Sequence, residues 1–240
     1  QIRNSITDIF GNIFNAALWP VLEDGAKLIG MNSTADKLNI NNINFERLVD
    51  FSTAMTNTLL VSHSEISACA KKADAQCVMP LVSAYGQRLW RRPLSATELS
   101  SFENTLSDFP SNEQKLSFAF QALTLSSHFL FRSEIGVLVA QSQQYQLTNF
   151  EVVSILSYAV TNSTPDDELL SLAAQSELLS QQQLKEQVAR LFESSKASHA
   201  LMDVYKDFLK LDLVLSRPKD QAFEFTEQLR GDLLHGAELM

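Results

Sequence analysis

Glycine is scarce, at 7 of 240 residues, well under the roughly 7% of an average protein. That shortage argues against hairpin-rich sandwiches, barrels and collagen. Cysteine is scarcer still. The two present, Cys69 and Cys77, are too few for a disulfide scaffold and too far apart for a Cys-x-x-Cys redox pair. Cys-x-x-Cys-His, the haem c attachment site, is missing. No histidine lies near the pair, so a zinc site with its four or so ligands is not expected. Long apolar runs are missing too. Ile135 to Ala140, for example, spans six residues, against the roughly 20 a membrane helix needs. Positive charge is in deficit. Lys plus Arg is 19, Asp plus Glu is 28, and the net charge of −9 repels phosphate backbones and anionic lipid. Nucleic acid and a membrane span are therefore not expected.

What is present is globular. The chain is 45% hydrophobic and 20% charged, enough for one large domain or two small ones without covalent staples. Helix signals dominate. Ile2, Ile6, Ile9 and Phe10 share one helix face, and Gly11 stands at a C-terminal cap position. Residues 12–43, with Trp19-Pro20, Gly25, Gly30 and an asparagine-rich run, read as a long irregular segment. Asn44 can cap a following helix through Leu48, Ser52 and Met55. A further helix region runs from Cys77 to Trp90, with Pro80 in its first turn and Pro93 ending it. Hydroxyl residues followed three positions on by Glu or Gln mark helix starts at Ser95, Ser111, Thr148 and Ser180. Thr164-Pro165-Asp166-Asp167 places proline at a first helical position. Periodic stretches cover Ala197 to Leu211 and Thr226 to Met240. No stretch alternates as strands do. The expectation is an all-α array of about nine or ten helices in two packed subdomains, 1–140 and 147–240, with Gln141 to Gln146 as linker. Gln1 opens within a helical pattern and Met240 closes within another. The chain is thus expected to be part of a larger protein, and its lack of a signal peptide says nothing about export.

Three ordered stretches carry a family resemblance: Tyr85-Gly86-Gln87-Arg88-Leu89-Trp90-Arg91-Arg92-Pro93-Leu94-Ser95; His128-Phe129-Leu130-Phe131-Arg132-Ser133-Glu134; and Leu147-Thr148-Asn149-Phe150-Glu151 with Leu156-Ser157-Tyr158 and Thr164-Pro165-Asp166-Asp167-Glu168. With the opening Arg3-Asn4-Ser5-Ile6-Thr7-Asp8-Ile9-Phe10-Gly11, they resemble the helical domains of unknown function in large exported bacterial proteins associated with planctomycete-type cytochrome c domains. Ala159-Val160-Thr161 stands where that family has Phe-Leu-Trp, and His128 where it often has proline. The resemblance implies a periplasmic or extracellular setting. It implies no activity.

The segment between the cysteines is polar and can turn back, so a local Cys69–Cys77 disulfide is expected, in agreement with export. Two buried free thiols are the alternative. Arg88, Arg91 and Arg92 stand at a helix end, where cations complement the dipole and reach the last carbonyls. With Arg132 and Glu134 they are the candidates for an anion or ion-pair cluster. Arg132 and Glu134 are expected to pair and to lock a helix end against the Arg-Arg-Pro turn. Asp166, Asp167 and Glu168 read as helix N-terminal acids rather than a metal loop. The histidines are scattered, and no Gly-x-Ser-x-Gly or phosphate loop occurs. No catalytic residue, metal site or cofactor is assigned to this segment. The leading reading is a non-catalytic structural or partner-binding module of a larger exported protein. Its partner would be the rest of the parent polypeptide or another exported protein, docked on a sizeable apolar surface. The alternative is a fragment of an electron-transfer protein whose haem lies outside this segment.

Overall fold

A computed structural model describes residues 1–20, 41–140, 143–175, 179–209 and 227–238. It is a helical array with one small hairpin. The helices are α1 (Ile2–Phe10), α2 (Asn42–Ser62), α3 (Ser64–Ala70), α4 (Val78–Trp90), α5 (Ala96–Ser107), α6 (Asn112–Leu125), α7 (Ser127–Leu130), α8 (Asn149–Thr161), α9 (Asp167–Gln175), α10 (Gln181–Phe192) and α11 (Ser195–Leu209), and a last helix covers Glu227–Glu238. Single 3-10 turns stand at Ala16–Leu18 and Ala75–Cys77.

Local chemistry sets most helix starts. Ser95, Thr148 and Ser180 each form a full capping box with the residue three positions on, satisfying two orphan amides at each end. Ser111 forms only the forward half, accepting from the Gln114 N–H. Two starts differ from the sequence reading. α2 is capped by Asn41, whose side chain accepts from the Asn44 N–H at 2.7 Å, and Asn44 is already buried inside the helix. At α9 the cap is Asp166, whose carboxylate accepts from the Leu169 N–H at 3.0 Å. Pro165 therefore precedes the helix instead of opening it. In both cases a side chain that can accept from the third residue on outcompetes the neighbour chosen on residue type. Of the expected irregular segment, residues 21–40 lie outside the described residues, and Asn42 and Ile43 belong to α2.

Of the expected linker, Gln141 and Ser142 lie outside the described residues, and its last three residues form a strand. Val137–Val139 (β1) and Gln144–Gln146 (β2) pair antiparallel, with Leu138 opposite Tyr145. Gly136, at φ +71°, enters the hairpin so closely that a Cβ would stand 2.6 Å from the Gln146 carbonyl oxygen.

The buried apolar residues form two clusters. One gathers α1 to α7 around Ile6, Met55, Leu59, Ile66, Val82, Leu89, Leu116, Phe120 and Leu123. The other gathers α8 to α11 around Val153, Leu169, Ala173, Leu191 and Ala197. Cys69 and Cys77 form a disulfide with Cα atoms 5.9 Å apart. The buried Asn112 amide braces that loop by donating to the carbonyls of Cys69, Lys72 and Asp74. No described helix is long and apolar enough to cross a membrane.

Candidate functional site

The Arg-Arg-Pro turn ends α4, and its three arginines do three different things. Arg91 caps α4 in the left-handed conformation, at φ 60°, and is only 5% exposed. Its guanidinium donates to the carbonyls of Leu89 (3.2 Å), Phe129 (3.4 Å), Phe131 (2.9 Å) and His128. It thereby closes the open end of α7 with fixed donors rather than a carboxylate. Burial lowers its pKa, and the Tyr158 phenol partly offsets this. Arg92 grips Glu98 through two bonds of 2.9 and 2.8 Å. That contact holds the Glu98 carboxyl down to about 2. Arg88 reaches the second half of the chain and pairs with Asp167 at 2.6 Å.

Arg132 and Glu134 do not pair. The Arg132 guanidinium lies 5.1 Å from the centroid of the Tyr158 ring. Glu134 is exposed and makes no ion pair among the described residues. A carboxylate fully in water gains little from such a pair, whereas the aromatic face rewards a guanidinium. The five candidates thus sit around the α4 and α7 ends without converging on one anion pocket.

They do border a polar seam between the two clusters. Tyr158 on α8 is hydrogen-bonded to Ser5 on α1 at 2.8 Å, and Ser5 is fully buried. Asn4 donates to the Asn162 carbonyl at 3.2 Å. Asp8 accepts from the Ser163 hydroxyl at 2.6 Å and pairs with Lys196 at 2.8 Å. Thr164 donates to the Arg88 carbonyl at 3.2 Å. Beside the seam an open cleft of about 360 Å³ is lined by Arg3, Asp8, Asn12, Ser163, Lys196, His199 and Asp203. Arg3, Lys196, His199 and Asp203 are exposed, and the Asp8 side chain, 21% exposed, is engaged by Ser163 and Lys196. No set of three or more metal-ligating side chains is gathered among the described residues.

Residues 147–240 match a protein family of unknown function, PSD4 (DUF1592). No curated protein and no solved structure matches the chain. The matched stretch holds α8 to α11 and the last helix, and with them the whole second cluster.

Within that stretch lies the feature the sequence left unplaced. α11 turns Ala197 into the cluster, buries Ala200, and leaves Leu201 (53% exposed), Val204 (57%), Tyr205 (53%) and Phe208 (67%) in solvent. Positions 201, 204, 205 and 208 form one helical face. Read from the sequence, that spacing signals a core-facing stripe, and only the structure shows which stripe is uncovered.

A buried titratable group, Tyr85 of α4 against the junction of α2 and α3, carries no sequence signal. The Tyr85 hydroxyl donates to Glu65 at 3.1 Å and lies 3.2 Å from Nε2 of His63. Burial and Glu65 push Tyr85 up to about 12. With the phenol proton given to Glu65, Nε2 of His63 is the donor. The buried Nδ1 of His63 has no hydrogen-bond partner among the described residues, and burial lowers the His63 pKa. The ring is wedged edge-on against Phe10 and Tyr85, packing that suits a neutral core histidine.

Proposed function

We propose that this chain is a non-catalytic helical module of a larger exported protein, and that it works by docking to the rest of that polypeptide or to an exported partner. The observation that carries the reading is the uncovered apolar face of α11, with Leu201, Val204, Tyr205 and Phe208 each more than half exposed. A stripe this regular costs free energy in water unless something covers it. The disulfide fits an oxidising compartment. The side chains at the seam and around Arg91 are spent on mutual hydrogen bonds and ion pairs, as a structural role requires.

The test is a photo-cross-linking residue at position 204 in the intact protein in its native host. Cross-linking to another part of the same polypeptide, or to an exported protein, is the expected result. A Val204→Asp variant should lose that cross-link when the probe is moved to position 208. Position 204 reacting only with solvent would overturn the reading.

A further inference from the structure

The β1–β2 hairpin is a two-stranded sheet with exposed strands. Two paired strands are marginal alone, and three or more are needed for a sheet to stand by itself. Here Val137, Leu138, Gln144, Tyr145 and Gln146 are all exposed, and only Val139 is half-buried. The strands are tied to the helices through Glu151, whose Oε1 accepts from the N–H groups of Ile135 (2.9 Å) and Gly136 (3.0 Å). Protein edges are normally guarded by lysine, proline or inward charge. From Ile135 to Phe150 the chain has no charged residue and no proline.

We propose that β1 pairs antiparallel with β1 of a second copy of this chain, forming a four-stranded sheet across a twofold axis. One observation chooses a copy over another partner. A twofold interface must be self-complementary, and Val137-Leu138-Val139 reads the same in both directions. Centred on Leu138, the pairing sets Val137 of each copy against Val139 of the other. It also lines up Tyr145, Leu138, Leu138 and Tyr145 in one row on one face, because Leu138 already stands opposite Tyr145. Each copy carries a net charge of −9, so two copies repel overall, and this uncharged edge is where they can meet at least electrostatic cost. The contact is small and belongs with weak, concentration-dependent interfaces.

Sedimentation equilibrium of the whole 240-residue chain tests this. The mass should rise from 26.8 kDa toward twice that value with concentration, and rise further in salt as the mutual repulsion is screened. Leu138→Lys places two cations face to face across the axis and should weaken association at least tenfold, with an unchanged helical circular dichroism spectrum. Val204→Asp, on the α11 face, should leave association as it is. A wild-type chain that stays monomeric at all concentrations overturns the proposal. So does a Leu138→Lys variant that associates like wild type, or association abolished by Val204→Asp, which would place the contact on α11. The docking reading of α11 stands or falls separately, on its own cross-link.

Discussion

Arg91 shows why a residue can be chosen for two costs at once. A non-glycine residue in the left-handed region costs about 1 kcal/mol or more, and a buried cation costs more unless its donors are filled. Four carbonyls take the donors of its two Nη atoms. Arg91→Lys keeps the charge but loses the planar fork, and should lower the unfolding free energy by about 2–4 kcal/mol in urea titration. Arg91→Gly removes the backbone strain yet should still fall below wild type. Equality of that variant with wild type would mean that the guanidinium contributes nothing. Titration follows from residue-scale packing as well. His63 and His128 are both lowered, chiefly by burial, with Arg92 adding to the effect at His128 and the Glu65 and Glu98 carboxylates opposing it. The folded state therefore binds fewer protons than the unfolded chain just below the ordinary histidine pKa. Their contribution is complete above the ordinary value of about 6.5 and is lost below it, as pH falls through the lowered values of the folded state. Glu98, held near 2 by Arg92, adds a second loss that begins below its unfolded value of 4.5 and runs down to about 2. Urea midpoints measured between pH 2 and 8 should fall in both windows, and His63→Gln should flatten the upper one. A midpoint that rises as pH drops from 7 to 5 contradicts the histidine assignment.

Elements were legible where their signals are local. Ser95, Thr148 and Ser180 announce their helices because a cap and its third residue are all the geometry a helix start needs. The misplaced starts at Asn41 and Asp166 are shifts of a few residues between competing caps. The hairpin was illegible for a different reason. Each strand has three residues, too short for alternation to register, and the entry to β1 is held by Glu151, which already serves the α8 capping box. One Glu151 oxygen accepts from the Ile135 and Gly136 N–H groups, and the other from the Thr148 N–H and hydroxyl. Glu151→Gln offers one carbonyl in place of two acceptors and aims an NH₂ group at donors. It should cost about 1–3 kcal/mol and speed amide exchange at Ile135, Gly136 and Thr148 together. Acceleration at Thr148 alone would show that the carboxylate does not hold the hairpin.

At the scale of the whole molecule, the two apolar clusters meet across contacts that are mostly polar: Ser5–Tyr158, Asn4–Asn162, Asp8–Ser163, Asp8–Lys196, Thr164–Arg88 and Arg88–Asp167. No sequence pattern foretold these pairings, because most of the partners stand more than 150 residues apart and polar residues carry no periodic imprint of what they face. Such a joint couples the halves less firmly than a shared apolar core would, and its charged members respond to salt. Asp8–Lys196 and Arg88–Asp167 are partly exposed, so each is worth little in free energy and is weakened further by screening. The buried Ser5–Tyr158 bond is not screened. Tyr158→Phe should therefore act as salt does and beyond it, leaving the Ser5 hydroxyl buried without a partner at a cost of about 1–2 kcal/mol. In calorimetry the wild-type chain should unfold in one transition at low salt. Tyr158→Phe in 1 M NaCl should split it in two, the first-melting half regaining its signal on cooling before the second has unfolded. A single transition that persists in the variant at high salt would mean that the two clusters are coupled by something other than this seam.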